Sequence, residues 1–297
     1  MQTKTGYVSI AGRSNVGKST LLNRLIGEKI AGVSSKPQTT RQTVRGIFSS
    51  ARGQIVFLDT PGLHKPKDRL GERMVRAARK TCLEADLIYW MVFPALPHAD
   101  DLKILEDLKQ TSKPIFLLVN KVDQVSKPDL LPVLDAYQKL YFFRVLFPIS
   151  AAKGDNVPEL LNKTFELLPE GPMLFPADQI SDQPERFIVS EMIREKIFRF
   201  TGEEIPYASA VEISEFKERS SSLTAIDATI YVEKTSQKKI MIGESGRMIK
   251  KIGMEARKGI EAFLQKKVFL QLWVKERAEW REDNQFLSRL ESEGSNG

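Results

Sequence analysis

The sequence predicts an α/β domain built on a mostly parallel sheet, followed by a smaller α+β domain. Three observations carry this. Over residues 1–168 short apolar runs alternate with amphipathic stretches, the pattern of strands joined by helices that cover both faces of a sheet. A segment punctuated by proline and glycine then interrupts the periodicity, and the order of elements changes beyond it. Finally, 297 residues are enough chain for two cores.

Residues 7–11, 55–58, 87–93, 115–119 and 145–149 read as buried strands, being apolar and often β-branched or aromatic. Helical periodicity occupies 19–26, 69–84, 101–110 and 157–168. Pro169, Gly171, Pro172, Pro176 and Pro184 make 169–184 a linker between a first domain, 1–168, and a second, 185–277. In the second domain 185–200 reads as an amphipathic helix. Residues 208–216 and 223–232 alternate as strands around a turn at 218–222. Two helical stretches, 237–242 and 247–265, precede a last strand at 268–274, giving the order α-β-β-α-α-β. Residues 278–297 read as a polar tail that frays toward its end.

Composition narrows the class. With 41% hydrophobic and 28% charged residues the chain is not wholly disordered. A single cysteine, Cys82, excludes a disulfide framework and a cysteine-built zinc site, and it reads as a core residue on a helix. Two histidines make a histidine-rich metal centre improbable. No apolar run approaches the ~18 residues of a membrane helix, and residues 1–6 lack the apolar block of a secretory signal. The expectation is a soluble, cytoplasmic protein.

The net charge of +7 points weakly to a polyanionic partner; its distribution says more. Residues 181–297 carry 20 basic and 20 acidic side chains, yet 234–267 alone holds 10 basic and 3 acidic ones. Such a block is either a solvated helix face or a nucleic-acid footprint.

After the first strand comes Gly12-Arg13-Ser14-Asn15-Val16-Gly17-Lys18-Ser19-Thr20, which fits G-x-x-x-x-G-K-[ST]. The glycines let the backbone wrap a phosphate, so that N–H groups and the following helix N-terminus point at the anion. Lys18 supplies positive charge for the β and γ phosphates, and the Ser19 hydroxyl suits Mg²⁺. Arg13 either touches phosphate or is a solvated charge.

The base is read elsewhere. In Asn120-Lys121-Val122-Asp123, after the 115–119 strand, the Asp123 carboxylate can accept two parallel bonds from N1–H and the exocyclic amine of guanine. Adenine offers no such pair and would leave the carboxylate unsatisfied. Asn120 can brace the phosphate loop, the Lys121 stem can lie against the ring, and Ser150-Ala151-Ala152 can present a backbone N–H to guanine O6. In Asp59-Thr60-Pro61-Gly62, Asp59 would hold Mg²⁺ through water and the Gly62 N–H would sense the γ-phosphate. Thr39 and Thr40 are candidates for the remaining threonine ligand. These elements in this order resemble the translation-factor-related GTPases, so the first domain is expected to be a P-loop GTPase domain binding GTP and GDP.

After Asp-Thr-Pro-Gly stands Leu63, where Ras-like proteins carry a water-orienting glutamine. Water must then be positioned by the 37–41 loop, a second water or an added cation. His64 reads as a loop residue rather than a base. Relatives with Asn at the position of Asn15 and a following Thr-Thr-Arg use potassium beside the phosphates. The match Asn15 and Thr39-Thr40-Arg41 makes K⁺ stimulation an expectation, and the same resemblance favours Thr40 over Thr39 as the metal ligand. The resemblance thus implies Lys18, Thr40 and Gly62 as the catalytic set.

In the second domain Ile242-Gly243-Glu244-Ser245-Gly246-Arg247-Met248-Ile249-Lys250-Lys251-Ile252 contains a G-x-x-G turn between helices, inside the basic block. Such a turn allows close approach of a nucleic-acid backbone, with Ile240, Ile242, Ile249 and Ile252 as a floor for unstacked bases. Ile242 through Arg247, with Lys250 and Lys251, are the candidate RNA contacts. Trp273 and Trp280 could stack bases, but Trp273 reads as buried on the last strand. The element order is that of a type II KH domain.

A phosphate-loop GTPase followed by one type II KH domain resembles the Era family of ribosome-assembly GTPases over nearly the whole chain. The resemblance implies a monomer that binds the 3′ end of small-subunit ribosomal RNA on the 30S-type subunit. It implies cytoplasmic location with some peripheral membrane contact. GTP would order loops at 34–43 and 63–70, altering how the KH domain is held, and hydrolysis would release them. Three departures stand out. Ser14 replaces the family's proline. Phe93-Pro94-Ala95-Leu96-Pro97 replaces a Val-Asp-Ala-type strand end, far in sequence from the nucleotide motifs and so expected to alter only local packing. Glu244 puts an acid in the KH turn, which would lower RNA affinity. Two rivals remain: an RNA-binding scaffold with little hydrolysis, kept alive by Leu63, and a GTPase acting on tRNA or membranes.

Overall fold

The most apolar stretches of the sequence occupy the middle of a six-stranded sheet. In a computed structural model that describes residues 3–292 except 35, 37, 38, 63–65 and 67, strands β1 (Lys4–Gly12), β2 (Val44–Ser50), β3 (Gly53–Asp59), β4 (Leu87–Val92), β5 (Ile115–Val119) and β6 (Val145–Pro148) align in the order β2-β3-β1-β4-β5-β6. All neighbours are parallel except β2 and β3. Every residue of β4 and β5 is buried, as a strand covered on both faces requires. Helices α1 (Lys18–Ile26), α2 (Arg69–Glu84), α3 (Ala99–Lys109), α4 (Lys127–Gln138) and α5 (Val157–Leu167) connect the strands. On one face Trp90 packs edge-on against Tyr137 at 5.7 Å, with Ile104, Leu105 and Leu108 of α3 around them. Cys82 of α2 is buried against Ser9, Sγ to Oγ 3.4 Å, and burial pushes its thiol up to about 11. The chain reverses direction across the sheet at β1, with β3 on one side and β4 on the other. Ligands of such sheets bind at that crevice.

The chain divides into two compact units, and the division differs from the sequence expectation. The 169–184 segment is not a free linker: through Asp182 it belongs to the first unit. The fully buried amide of Gln54 accepts from Leu174 and Phe175 N–H (2.8 and 2.9 Å) and donates to Phe175 O, and Ile47 N–H donates to Ile180 O. The segment looks like a linker only because these bonds run to strands far away in sequence.

The second unit holds α6 (Glu185–Phe200), β7 (Ala210–Ser220), β8 (Leu223–Val232), α7 (Thr235–Ile242), α8 (Arg247–Leu264), β9 (Lys267–Glu276) and α9 (Asn284–Ser292). Its sheet runs β7-β8-β9, β7 antiparallel and β9 parallel to β8. Residues 31–39 and 68–70 also group with this unit rather than with the first. Helix α6 is buried on all sides from Phe187 to Phe198, not amphipathic. Its charges are tolerated because they are paired: Arg194 Nε on Glu191 at 2.8 Å and Lys196 on Glu195 at 2.8 Å. Part of its cover is the 31–39 segment, where Val33 N–H donates to Glu195 and Lys36 Nζ to Thr201 O.

The expected polar tail is a second correction. Trp280, Phe286 and Leu287 are buried, the Trp280 indole N–H donates to Ala208 O (2.9 Å), and Tyr231 meets Phe286 ring to ring at 4.9 Å. Arg281 bridges Glu233 (2.7 Å) and Asp68 (3.0 Å). Three buried apolar side chains stand here among many charges, too few to register as a periodic pattern.

Candidate nucleotide site and nucleic-acid interface

The loop between β1 and α1 is held open by backbone conformations that few residues adopt. Gly12 (φ +148°) and Gly17 (φ +111°) have left-handed backbones, and Asn15 (φ 63°) joins them. A methyl at Gly12 would lie 2.4 Å from Met91 O; one at Gly17 would lie 2.3 Å from Asn120 Nδ2. Val16 is buried beneath the loop. Lys18 begins α1 and folds back, its Nζ donating to Gly12 O (3.2 Å) and Arg13 O (3.0 Å). Burial lowers its ammonium to about 8, with Asp59 pulling the other way.

Three oxygens converge beside it. Ser19 Oγ donates to Asp59 Oδ2 (2.6 Å) and lies 2.8 Å from Thr40 Oγ1, which is itself 3.4 Å from Asp59. Thr39 is turned elsewhere, its hydroxyl donating to Lys36 O. An all-oxygen set with one carboxylate fits Mg²⁺ rather than a softer ion. Thr60 is anchored on Ile10 O (2.8 Å), and after Pro61 the chain brings Gly62 against Ser14: a methyl on Gly62 would be 2.6 Å from Ser14 Oγ. Thr20 follows Ser19 on α1. Leu63, His64 and Pro37 lie outside the described residues.

The base-reading segments lie at the ends of β5 and β6. Asn120 donates to Val16 O (2.7 Å) and accepts from Ala151 N–H (2.9 Å), so one amide joins three loops. Lys121 (φ 64°) extends over the phosphate loop to Asn15 O (2.8 Å). Asp123 sits in a short 3₁₀ turn beside it, and burial outweighs that carboxylate in lowering the Lys121 ammonium. Ser150 and Ala151 are buried; Ala152 is exposed.

Two residues here were missed. The Phe93 ring carries Lys121 Nζ at 4.7 Å and the Arg13 guanidinium at 5.5 Å, and Arg13 also pairs with Asp101. The 93–97 strand end, far in sequence from the nucleotide motifs, thus places Phe93 beside two of them, and the packing it was expected to alter is packing against Arg13 and Lys121. Distance along the chain says nothing about strand ends that share one edge of a sheet. Arg24 on α1 is the second: it donates to the carbonyls of Ala151 (3.3 Å) and Ala152. No motif marks either residue.

In the second unit Gly243 (φ 73°), Ser245 (φ 50°) and Gly246 (φ 75°) form the turn between α7 and α8. Glu244 and Arg247 are exposed and pair at 3.5 Å. Beside the turn a cleft of about 280 Å³ is lined by Ile249, Lys250, Gly253, Met254, Arg257, Leu270 and Leu272. Of the proposed floor only Ile249 lines it; Ile242 is half-buried, Ile252 belongs to the core and Ile240 faces outward. Lys251 points away, its Nζ over the Phe200 ring at 4.5 Å. Trp273, expected buried, is 55% exposed, because β9 is an edge strand whose alternate residues face outward. Trp280 is the buried tryptophan.

A phosphate loop at a sheet switch point, answered by a guanine-type base loop, defines a GTPase, and the G-x-x-G unit makes it one joined to a KH module. Residues 7–121 match the 50S ribosome-binding GTPase family and residues 204–281 the KH domain. The chain is 48% identical to GTPase Era of Ruminiclostridium cellulolyticum over 98% of each sequence. Two solved structures, a variant of Aquifex aeolicus Era bound to GDP.AlF4⁻ and Era in complex with MgGDPNP and nucleotides 1506–1542 of 16S ribosomal RNA, are similar throughout. Each is 39% identical with a TM-score of 0.94, covering 99% of this chain and 100% of the other. The chain belongs to the Era family of GTPases.

Proposed function

We propose that this protein is a GTP-hydrolysing switch that binds single-stranded ribosomal RNA at the 3′ end of the small-subunit molecule and acts in assembly of that subunit. The supporting observation is the full-length likeness to Era proteins, one of them held with both a GTP analogue and 16S RNA. We assign the phosphate contacts to residues 12–20, with Lys18 leaving the loop carbonyls for phosphate oxygens. Ser19, Thr40 and Asp59 would hold Mg²⁺, which when bound offsets phosphate charge. The Gly62 N–H reports the γ-phosphate, and Asp123 reads the guanine edge. RNA would enter the cleft beside Gly243–Gly246, with Lys250 and Arg257 at its backbone. Release of phosphate in a single turnover, lost in Lys18→Ala, checks hydrolysis against a scaffold role. Crosslinking to total RNA, with sequencing of the bound fragments, checks the target.

On the family resemblance, Asn15 with Thr39-Thr40-Arg41 makes potassium a stimulator; equal rates in sodium and potassium would remove it. The same resemblance supports cytoplasmic location, a monomeric state and a peripheral membrane contact. Among the described residues no helix is long and apolar enough to cross a membrane.

A further inference from the structure

The loop at 150–154 offers guanine few free donors. Ser150 N–H is bonded to Asp155 O (3.2 Å), Ala151 N–H to Asn120 Oδ1 (2.9 Å), Lys153 N–H to Ser150 Oγ (3.1 Å) and Gly154 N–H to Ser150 O (2.7 Å). Among these five described residues only the Ala152 N–H has no acceptor, so it is the donor left for a ligand. It belongs to the same trans peptide as the Ala151 carbonyl, so the N–H and the C=O bonds point in opposite directions from one rigid plane. Arg24 Nε donates to that carbonyl at 3.3 Å, and Arg24 Nη2 donates to the next one, of Ala152. Holding the carbonyl therefore fixes where the N–H aims.

We propose that Arg24 is a positioning residue for guanine recognition: by gripping the Ala151 and Ala152 carbonyls it aims the Ala152 N–H at O6 of the base. This rests on the GTP-binding reading above. Arg24 lies six residues along α1 from Lys18, roughly 9 Å, so a single rigid helix carries the phosphate-contacting amine at one end and the base-loop clamp near the other. The planar guanidinium, with parallel donors, suits two successive carbonyls in a way a lysine does not.

The test uses the full chain with GDP, 6-thio-GDP and IDP, and ADP as a control. 6-Thio-GDP keeps the N1–H and the amine read by Asp123 but replaces O6 with a weak acceptor. IDP keeps O6 and lacks the amine. Dissociation constants are compared for the native chain, Arg24→Ala and Arg24→Lys, after thermal melts confirm that each is folded. The native chain should prefer GDP to 6-thio-GDP. In Arg24→Ala, GDP should weaken about fivefold, the worth of one hydrogen bond. Its preference over 6-thio-GDP should fall toward one, while its preference over IDP stays unchanged; Arg24→Lys should recover only part. Equal weakening of all three nucleotides, no change in Arg24→Ala, or no native preference for GDP over 6-thio-GDP would overturn the proposal. A native chain that does not prefer GDP to ADP would instead overturn the guanine reading itself.

Discussion

The phosphate loop and the cleft beside the KH turn are both shaped by glycine, but they are built from different material. In the first, left-handed backbones at Gly12, Asn15 and Gly17 shape a main-chain cradle, with Lys18 and Asp59 buried beside it. In the second, glycines only shape the turn, and exposed side chains such as Lys250 and Arg257 line a shallow cleft. A buried backbone cradle tolerates no added atom. A solvated side-chain cleft changes its affinity by increments and through salt.

Three substitutions probe that contrast. Gly17→Ala must place a methyl 2.3 Å from Asn120 Nδ2 on a left-handed backbone. It should weaken GDP binding on the order of a hundredfold, read by equilibrium dialysis; retention within tenfold would break the comparison. Arg257→Ala removes one exposed cation from the cleft. It should weaken binding of a single-stranded RNA about three- to fivefold and flatten the salt dependence by about one charge; complete loss would show that the cleft, too, is all-or-none. Glu244→Lys reverses a charge in the KH turn where Arg247 now pairs with it at 3.5 Å. A gain of about two- to threefold at low salt, fading at high salt, is the outcome that fits.

Much of this was legible. Strands β3 to β5 are continuous apolar runs, and G-x-x-x-x-G-K-S, N-K-x-D and G-x-x-G each follow or join elements that the pattern locates. What escaped had physical reasons. Strand β2 is a short antiparallel edge interrupted by Gly46, which is glycine because a methyl would meet Leu22 and Ile26 at 2.7–2.8 Å. Helix α4 contains Pro128 and Pro132, residues that usually mark helix ends; here Ser126 caps the start and Pro128 sits in the first turn. Trp273 was misplaced because an edge strand looks as apolar as a central one. Phe93 and Arg24 act across the sheet edge, on residues 28 and 127 positions away, and no local spacing encodes that.

Cys82 has a practical consequence. The chain's only thiol is 2% exposed, held against Ser9, and pushed up to about 11. Burial thus favours the protonated, unreactive thiol at neutral pH. For spectroscopists the protein is in effect already a cysteine-free background. A pair of introduced surface cysteines, one on each unit, could carry a donor and acceptor dye without any prior removal of the native residue, and the distance between the two units could be followed through a single round of GTP hydrolysis.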